Sequence, residues 1–270
     1  MLDYEKEAAA YDTTRGGEPR AAAAAEAVLG LLRGPLPGGP SRLLDVACGT
    51  GIVTRRLAAA LPRTRVTGVD LTPGMAGRAA SRLPGAVLVA DVRRLPFPDA
   101  TFDAVTSVWL LHLLGTAAEV RATVTECARV LRPGGVYVTT VDKASAHDVG
   151  SDIDAVLADR PRRPAADAAP AVDLCAALSG LLLPAAQARF PGLGQGRSPA
   201  GTIADLRRGW FTRLPPGDPL TEAFARRLAA LPDQDRPRPD PRFSLRAYRK
   251  AAQGGRLAET GGNARADGGD

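Results

Sequence analysis

The chain has 270 residues, of which 45% are apolar and 24% charged, and its formal net charge is +6. This length and composition predict a globular protein with one sizeable core and a small appended lobe. The longest apolar stretch, residues 171–186, is interrupted by Asp173 and is too short to cross a bilayer. The first residues are charged and lack the apolar segment of a secretory signal, so we expect a cytoplasmic protein without membrane association.

The cysteines and basic residues argue against two further classes of protein. Cys48, Cys127 and Cys175 are odd in number and form no Cys-x-x-Cys pair, which does not favour a disulfide framework or a metal site. Arginine supplies nearly all of the positive charge, and the arginines are scattered among acids. The one dense cluster, residues 236–250, has few aromatic side chains for base stacking. The composition therefore does not favour a nucleic-acid partner.

The predicted elements begin with a polar segment, residues 1–19, and an alanine-rich helix over residues 20–32 that Gly34-Pro35 ends. Apolar, β-rich runs then alternate with helical stretches. Such runs, when nearly continuous and separated by helices, indicate a parallel sheet covered on both faces, hence a doubly wound α/β fold. The runs predict strands at residues 43–47, 66–71, 87–90, 102–108 and 136–141.

After Asp142 the pattern loosens. The leucines between residues 174 and 183 are expected to pack in a core, and Phe190, Trp210 and Phe211 could line an apolar pocket or pack the appended lobe. The glycine-rich tail has little to bury, and we expect it to be disordered. The predicted segments are a helix at 171–183, a glycine-rich run around 190–194, a helix at 200–212, a strand at 243–249 and the tail at 254–270.

The strongest local signal is residues 44–51, Leu-Asp-Val-Ala-Cys-Gly-Thr-Gly, where a strand leads through a glycine turn into a helix. Small residues let the backbone approach a ligand, and the helix N terminus presents free N–H groups. A tight turn without a ligand would have the same pattern. A nicotinamide dinucleotide site is less favoured, because Thr54 replaces the third glycine of Gly-x-Gly-x-x-Gly. Asp45 suits a cationic amine or sulfonium better than a pyrophosphate.

The next two strands also end in acids. Asp70 lies 19 residues after Gly51, where a carboxylate can accept both hydroxyls of a ribose. It could instead cap the helix that starts near Pro73. Asp91 ends the third strand, where a carboxylate can accept from the amino group of adenine. Three such strand ends in a row favour a ligand site.

Together these motifs resemble class I methyltransferases that use S-adenosylmethionine, in the ubiquinone/menaquinone-type branch that acts on small molecules. The resemblance covers about residues 40–142 and implies a seven-stranded, Rossmann-like sheet with a small helical lid. The segments that carry it are residues 44–51, 69–75, 91–92, 95–103 and 129–135.

The resemblance also implies roles for individual residues. Asp45, Ala47 and the turn from Gly49 to Gly51 would hold the methionine part of the cofactor, and Asp70 its ribose. The remaining assignments are Leu71 and Met75 beside the adenine, Asp91 and Val92 at its edge, Val108 and Trp109 near the sulfonium, and Tyr11 and Arg15 in an N-terminal strip over the cofactor. Tyr11 could equally be a packing residue.

Two histidines are candidates for a catalytic role. His112 follows the fourth strand and could deprotonate an acceptor, although methyl transfer can also proceed by positioning alone. His147 follows the fifth strand and could equally be a solvated loop residue. We favour positioning, because no carboxylate lies near His112 in the sequence to orient it.

The function predicted from the sequence is methyl transfer to the oxygen, nitrogen or carbon of a small, partly apolar acceptor, by analogy a specialised metabolite. A protein that binds the cofactor without turnover, and methylation of a peptide or nucleic acid, remain alternatives, as does a homodimer. The predicted division is an N-terminal helical segment over the site at 1–39, the cofactor-binding core at 40–142, a substrate lid with the last strands at 143–253, and the tail at 254–270.

Overall fold

Seven strands form one sheet in the structure, a computed structural model that describes residues 4–161, 165–209, 214 and 217–252. The strands are β1 (Ser41–Val46), β2 (Thr64–Asp70), β3 (Val87–Val89), β4 (Phe102–Ser107), β5 (Leu131–Val141), β6 (Leu182–Pro191) and β7 (Arg242–Lys250). Their spatial order is β3-β2-β1-β4-β5-β7-β6. β1 to β5 are parallel, and β7 runs antiparallel to both β5 and β6. The strand order reverses between β1 and β4, which places the ligand crevice of such folds at their carboxyl ends.

Helices cover both faces of this sheet. They are α1 (Tyr4–Glu7), α2 (Tyr11–Thr14), α3 (Gly17–Leu32), α4 (Ile52–Ala60), α5 (Pro73–Arg82), α6 (Ala117–Val130), α7 (Lys143–Ala146), α8 (Asp152–Val156), α9 (Ala169–Leu178), α10 (Pro199–Arg207) and α11 (Pro219–Ala229), with 3₁₀ turns at Val92–Arg94 and Leu111–Leu113. No helix in the described ranges is long and apolar enough to cross a membrane.

The alternation of side chains along each strand explains the two cores. Leu43 and Leu44 are neighbours in β1 and both are fully buried, yet they belong to different clusters. Leu43 packs with α3 and α4, whereas Leu44 packs with α6 and α9. Successive residues of a strand point to opposite faces, so a strand covered on both sides must be apolar throughout. The predicted mostly parallel, doubly wound α/β sheet is therefore confirmed.

The strand at the far edge of the sheet, β6, is absent from the sequence-based assignment. The helix predicted at 171–183 ends at Leu178, and the chain then enters β6. β6 contains Pro184 and Pro191 and has no β-branched residue, so its sequence lacks a strand signal. Prolines are tolerated there because β6 pairs on one side only, with β7.

The leucines around α9 are also placed differently from the expectation. Leu174, Leu178 and Leu183 are 58%, 57% and 61% exposed. The buried face of α9 consists of small side chains such as Cys175 and Ala176. Small residues allow the helix to approach the sheet closely, which turns the leucines outward. The expectation that these leucines form core was therefore wrong, apart from Leu182, which is 1% exposed.

The segment after β5 contains a small core of its own. Side chains from α8, α10 and α11 form it, with Phe224 2% exposed. The buried residues of this core are Ile153, Val156, Leu157, Leu206, Phe224 and Leu228. Trp210, Phe211 and the tail at 254–270, for which packing and disorder were predicted, lie outside the described residues.

Phe224→Ala tests whether this small core holds the appended lobe together. Removing a buried phenylalanine side chain costs about 3–5 kcal/mol, so the free energy of unfolding in urea should fall by about that amount. Leu220→Ala on the same helix is the control, because Leu220 is 40% exposed. Equal losses for the two variants would show that the lobe does not depend on Phe224.

Candidate functional site

The turn after β1 is built from residues with left-handed backbone. Ala47, Gly49 and Gly51 have φ of 54°, 58° and 75°. A Cβ added to Gly51 would lie 2.9 Å from the Cβ of Ala79 on α5, so only glycine lets the two helices approach here. A Cβ added to Gly49 would meet no atom within 4 Å. Gly49 therefore borders open space, as a backbone that approaches a ligand does.

Asp70 connects this turn to the end of β2. Its carboxylate accepts the backbone N–H of Gly49 at 2.8 Å and that of Thr72 at 2.9 Å. Burial raises the pKa of Asp70, while these N–H groups act in the opposite direction. A carboxylate has about four acceptor positions, so Asp70 can still accept further hydrogen bonds. The two roles that the sequence left open for Asp70, binding a ligand and capping the next helix, are thus compatible.

Asp45 lies at the buried side of the same turn and is 3% exposed. Its two carboxylate oxygens accept hydroxyl hydrogen bonds from Thr54 at 2.6 Å and Thr106 at 2.7 Å. Burial raises the pKa of Asp45 to about 6, despite these two bonds. Thr54 replaces the third glycine of the dinucleotide motif, and its hydroxyl is instead a hydrogen-bond partner of Asp45, the acid that suits a cationic ligand.

The other predicted cofactor residues differ in accessibility. Asp91 is ion-paired with Arg93 at 2.7 Å and accepts its backbone N–H, and the bonds from Arg93 lower the pKa of Asp91. Leu71 is 62% exposed, whereas Met75 is 2% exposed and part of the packing of α5. Val92 is partly buried beside Asp91. Asp91 can thus meet a ligand only in competition with Arg93.

The N-terminal segment packs on these strand ends. Asp12 accepts from the Thr50 hydroxyl at 2.6 Å and from Arg82 at 2.6 Å. Glu5 accepts the backbone N–H of Gly74 at 2.9 Å. The Tyr4 ring lies 6.1 Å from that of Tyr11, and burial raises the pKa of Tyr4.

Sequence analysis missed Tyr4, Glu5 and Asp12, because their partners are remote in the chain. The feature of the sequence that could have indicated their role is the concentration of acids and tyrosines in residues 4–12.

The end of β4 carries Val108 and Trp109, which are 8% and 9% exposed. Trp109 has φ of 59°, and its backbone N–H donates to Thr140 at 2.5 Å. The guanidinium carbon of Arg20 lies 3.8 Å from the centroid of the Trp109 ring. A left-handed non-glycine residue is strained by about 1–3 kcal/mol, and such strain is concentrated at functional sites.

His112 follows in the 3₁₀ turn and is half-buried. Burial, together with Lys143, Arg20 and Arg15, lowers the pKa of His112 well below its usual range. The imidazole is therefore neutral at pH 7 and free to accept a proton, but it is a weak base. Arg15, which the sequence had assigned to the cofactor strip, thus acts electrostatically on His112.

The end of β5 repeats the backbone conformation of the β1 and β4 ends. Asp142 has φ of 57° and precedes Lys143, whose backbone N–H donates to Asp167 at 2.8 Å. Burial lowers the pKa of Lys143 to about 7, and Arg20 and Arg15 act in the same direction. His147 follows α7, and burial lowers its pKa as well. Sequence analysis gave Lys143 no role.

The fold is that of Rossmann-like methyltransferases, and comparison with known proteins agrees. Residues 44–139 match the family described as a methyltransferase domain. The likeness to curated methyltransferases of the ubiquinone/menaquinone type confirms the resemblance stated from the sequence.

Individual relatives match parts of the chain. The ubiquinone/menaquinone biosynthesis C-methyltransferase UbiE of Desulfotalea psychrophila is 40% identical over 100 residues, or 36% of this chain and 39% of the relative. The malonyl-[acyl-carrier protein] O-methyltransferase of Hahella chejuensis is 35% identical over 135 residues, or 49% of this chain and 45% of the relative. The chain thus spans less than half the length of these curated relatives.

A solved structure extends the likeness in fold to nearly the whole chain. It is a chain from the complex between the Trm112 methyltransferase activator and a methyltransferase of Haloferax volcanii. The TM-score is 0.56 at 19% identity, and the match covers 93% of this chain and 99% of the other. At this identity the match establishes the fold alone.

Asp45→Asn tests the electrostatics of the glycine turn. Because the folded pKa of Asp45 is raised to about 6 from 3.8, the native state binds more protons than the unfolded state between these values. Wild-type stability should therefore fall by about 2 kcal/mol relative to the variant as pH rises from about 4 to 7. Urea unfolding of both proteins across this range measures the difference.

Asp91→Asn is the matched control, because Arg93 lowers the pKa of Asp91. Its difference from wild type should have the opposite sign, with stability lost as pH falls, and should be small since Asp91 is one-third exposed. Parallel pH curves for wild type and Asp45→Asn would contradict a raised pKa at Asp45.

Proposed function

We propose that the chain transfers a methyl group from S-adenosylmethionine to an oxygen, nitrogen or carbon of a small, partly apolar acceptor. The observation that carries the proposal is the arrangement of Asp45, Asp70 and Asp91 toward the carboxyl ends of three neighbouring strands, β1, β2 and β3. These carboxylates match a ligand with an ammonium, a sulfonium, ribose hydroxyls and an adenine amino group. The open space at Gly49 fits close approach of such a ligand.

Residue roles follow from this arrangement. Asp45 would lie near the amino group, the Gly49–Gly51 turn and Ala47 along the methionine part, and Asp70 at the ribose. The adenine would lie against Leu71, Met75, Asp91 and Val92, and the reactive end near Val108. When bound, S-adenosylmethionine supplies an activated methyl group on a good leaving group. The chain then needs to orient the acceptor and exclude water, and Tyr11 and Arg15 of the N-terminal segment would cover the cofactor.

The class of acceptor has less support than the transfer of a methyl group. The relatives named for a quinone and for a malonyl-acyl carrier protein differ in acceptor, and each match covers less than half of this chain. We propose a specialised metabolite as acceptor and the cytoplasm as the place of action, both from the sequence. A homodimer stays an open alternative.

Binding and turnover are tested separately. Calorimetry with S-adenosylhomocysteine measures occupation of the cofactor site, and transfer of labelled methyl groups to a panel of small acceptors measures turnover. Binding together with transfer supports the proposal. Binding with no transfer to any acceptor, peptide or nucleic acid would favour the non-catalytic alternative. Tight NADH binding without a response to S-adenosylhomocysteine would contradict both hypotheses and indicate a nicotinamide cofactor.

Asp70→Ala should weaken binding of S-adenosylhomocysteine on the order of a hundredfold, because each hydrogen bond to a charged acceptor contributes about 1.5–3 kcal/mol. Asp70 also holds Gly49 and Thr72, so circular dichroism and thermal unfolding must accompany the titration. Asp99→Ala is the matched control, since the side chain of Asp99 is 78% exposed. Unchanged affinity in a folded Asp70→Ala protein would place the ribose elsewhere.

His112→Ala distinguishes a general base from a positioning residue. We expect turnover of an accepted substrate to fall about tenfold or less, since the lowered pKa of His112 makes it a weak base. The pH profile of turnover should keep its shape in the variant. A loss of about 10²–10⁴, with a titration that disappears in the variant, would assign His112 the role of base.

A further inference from the structure

Five basic side chains meet at the carboxyl ends of β4 and β5, and we name them the basic cluster: Arg15, Arg20, His112, Lys143 and His147. They come from separate segments, namely the turn after α2, α3, the turn after β4, and α7 with the residue that follows it. Each acts electrostatically on others of the group: Arg20 and Arg15 on Lys143, and Lys143 on both histidines. Arg20 is 6% exposed, and the other four are half-buried.

Aromatic rings hold these cations in place. The Nζ atom of Lys143 lies 5.1 Å from the centroid of the Phe243 ring, and the His147 ring lies 5.6 Å from the same centroid. The Phe243 ring is in turn 5.8 Å from that of Trp109, over which Arg20 stacks. Cation–π contacts fix the positions of positive groups but do not neutralise their charge.

The groups that bond Arg20 are neutral, and the acid that acts on Arg20, Asp12, is itself ion-paired with Arg82. Arg20 hydrogen-bonds the hydroxyl of Tyr11, and Gln195 with its amide oxygen toward Arg20 accepts at 3.0 Å from Nη1. The indole Nε1 of Trp109 is buried and has no acceptor among the described residues. Asp167 acts favourably on Lys143 but is 2% exposed and accepts a backbone N–H. The region is thus rich in donors and positive charge.

Arg20 and the charged form of Lys143 repel each other in this partly buried region, and a ligand of opposite charge would relieve the repulsion. S-adenosylmethionine is not that ligand, because its carboxylate is outweighed by an ammonium and a sulfonium. Its carboxylate would also lie at the neighbouring turn of Gly49, whereas Lys143 and His147 follow β5, two strands away. A second ligand that carries negative charge would therefore fit this region better than the cofactor does.

We infer that the basic cluster binds an oxyanionic group, a carboxylate or a phosphate, on the methyl acceptor. This inference rests on the proposed function and narrows it to acidic acceptors. Lys143 and Arg20 are the specificity-determining residues, and Trp109 Nε1 is an additional donor. An anion at this position would hold the acceptor at the end of β4, where Val108 is expected to face the reactive end of the cofactor.

The test uses the full chain saturated with S-adenosylhomocysteine and two probes, citrate and inorganic pyrophosphate, in calorimetry at about pH 8. Citrate represents carboxylate acceptors and pyrophosphate phosphorylated ones. We expect at least one probe to bind with uptake of protons, measured in two buffers with different heats of ionisation. An anion favours the charged form of Lys143, whose pKa is otherwise about 7. The other groups that face Lys143 are His112, His147, Arg15, Arg20, Arg197 and Asp167, and the two histidines stay neutral at this pH because their pKa values lie well below the usual range.

Two substitutions of Lys143 give different expected results. Lys143→Met should weaken probe binding about tenfold to a hundredfold and abolish proton uptake. Lys143→Arg should keep binding but abolish proton uptake, because arginine stays charged. Both variants should bind S-adenosylhomocysteine as wild type does. Arg33→Gln removes one exposed positive charge elsewhere and should leave probe binding unchanged.

The possible failures are distinguishable. No binding of S-adenosylhomocysteine would overturn the proposed function itself. Normal binding of S-adenosylhomocysteine with no binding of either probe would overturn the inference alone. Probes that bind only in the absence of S-adenosylhomocysteine would show that the cluster binds the carboxylate of the cofactor. If Arg33→Gln weakened probe binding as much as Lys143→Met, the probes would be attracted by the net charge of the protein. Either result would overturn the inference.

Discussion

The carboxylate of Asp70 joins the ends of β1 and β2, and the shape of the site depends on this connection. It accepts backbone N–H groups from Gly49 and Thr72, which belong to the turns after these two strands. The turn at Gly49 uses left-handed backbone and packs against α5 through Gly51. Without an acceptor at this position, the two half-buried N–H groups would lose their partner within the protein. The acid that holds these two turns together is thus the one that we propose to bind the ribose.

Charge is distributed unevenly along the carboxyl edge of the sheet. The ends of β1, β2 and β3 carry Asp45, Asp70 and Asp91, whereas the ends of β4 and β5 carry the basic cluster. A cationic cofactor suits the acidic half, and an anionic acceptor suits the basic half. Opposite charges on neighbouring ligands would bring them together at the boundary between β1 and β4, where the strand order reverses. With the proposed ligands, this division would orient the cofactor and the acceptor relative to each other.

Sequence patterns predicted most of the core but less of its surroundings. β1 to β5, α3 and β7 lie close to their predicted positions, because each is a clear apolar run bounded by glycine, proline or polar residues. β6 was missed, since it contains two prolines and is stabilised by pairing with β7. The leucines of α9 were misplaced, because hydrophobicity alone does not reveal which face of a helix meets the sheet. Of the site, the glycine turn and the three acids were predicted; Tyr4, Glu5, Asp12 and Lys143 were not.

The sequence by itself determined the class of fold and the acidic half of the site. Both depend on the local sequence, in which an apolar strand leads directly to an acidic residue that we propose to face the ligand. Only the tertiary structure decided the partners of Asp45, the docking of the N-terminal segment and the convergence of Arg20, His112 and Lys143. Those contacts join residues up to about a hundred positions apart, and no local pattern encodes them. Burial shared among such distant residues also sets their pKa values, so the protonation states of His112 and Lys143 follow from the packing of the whole chain.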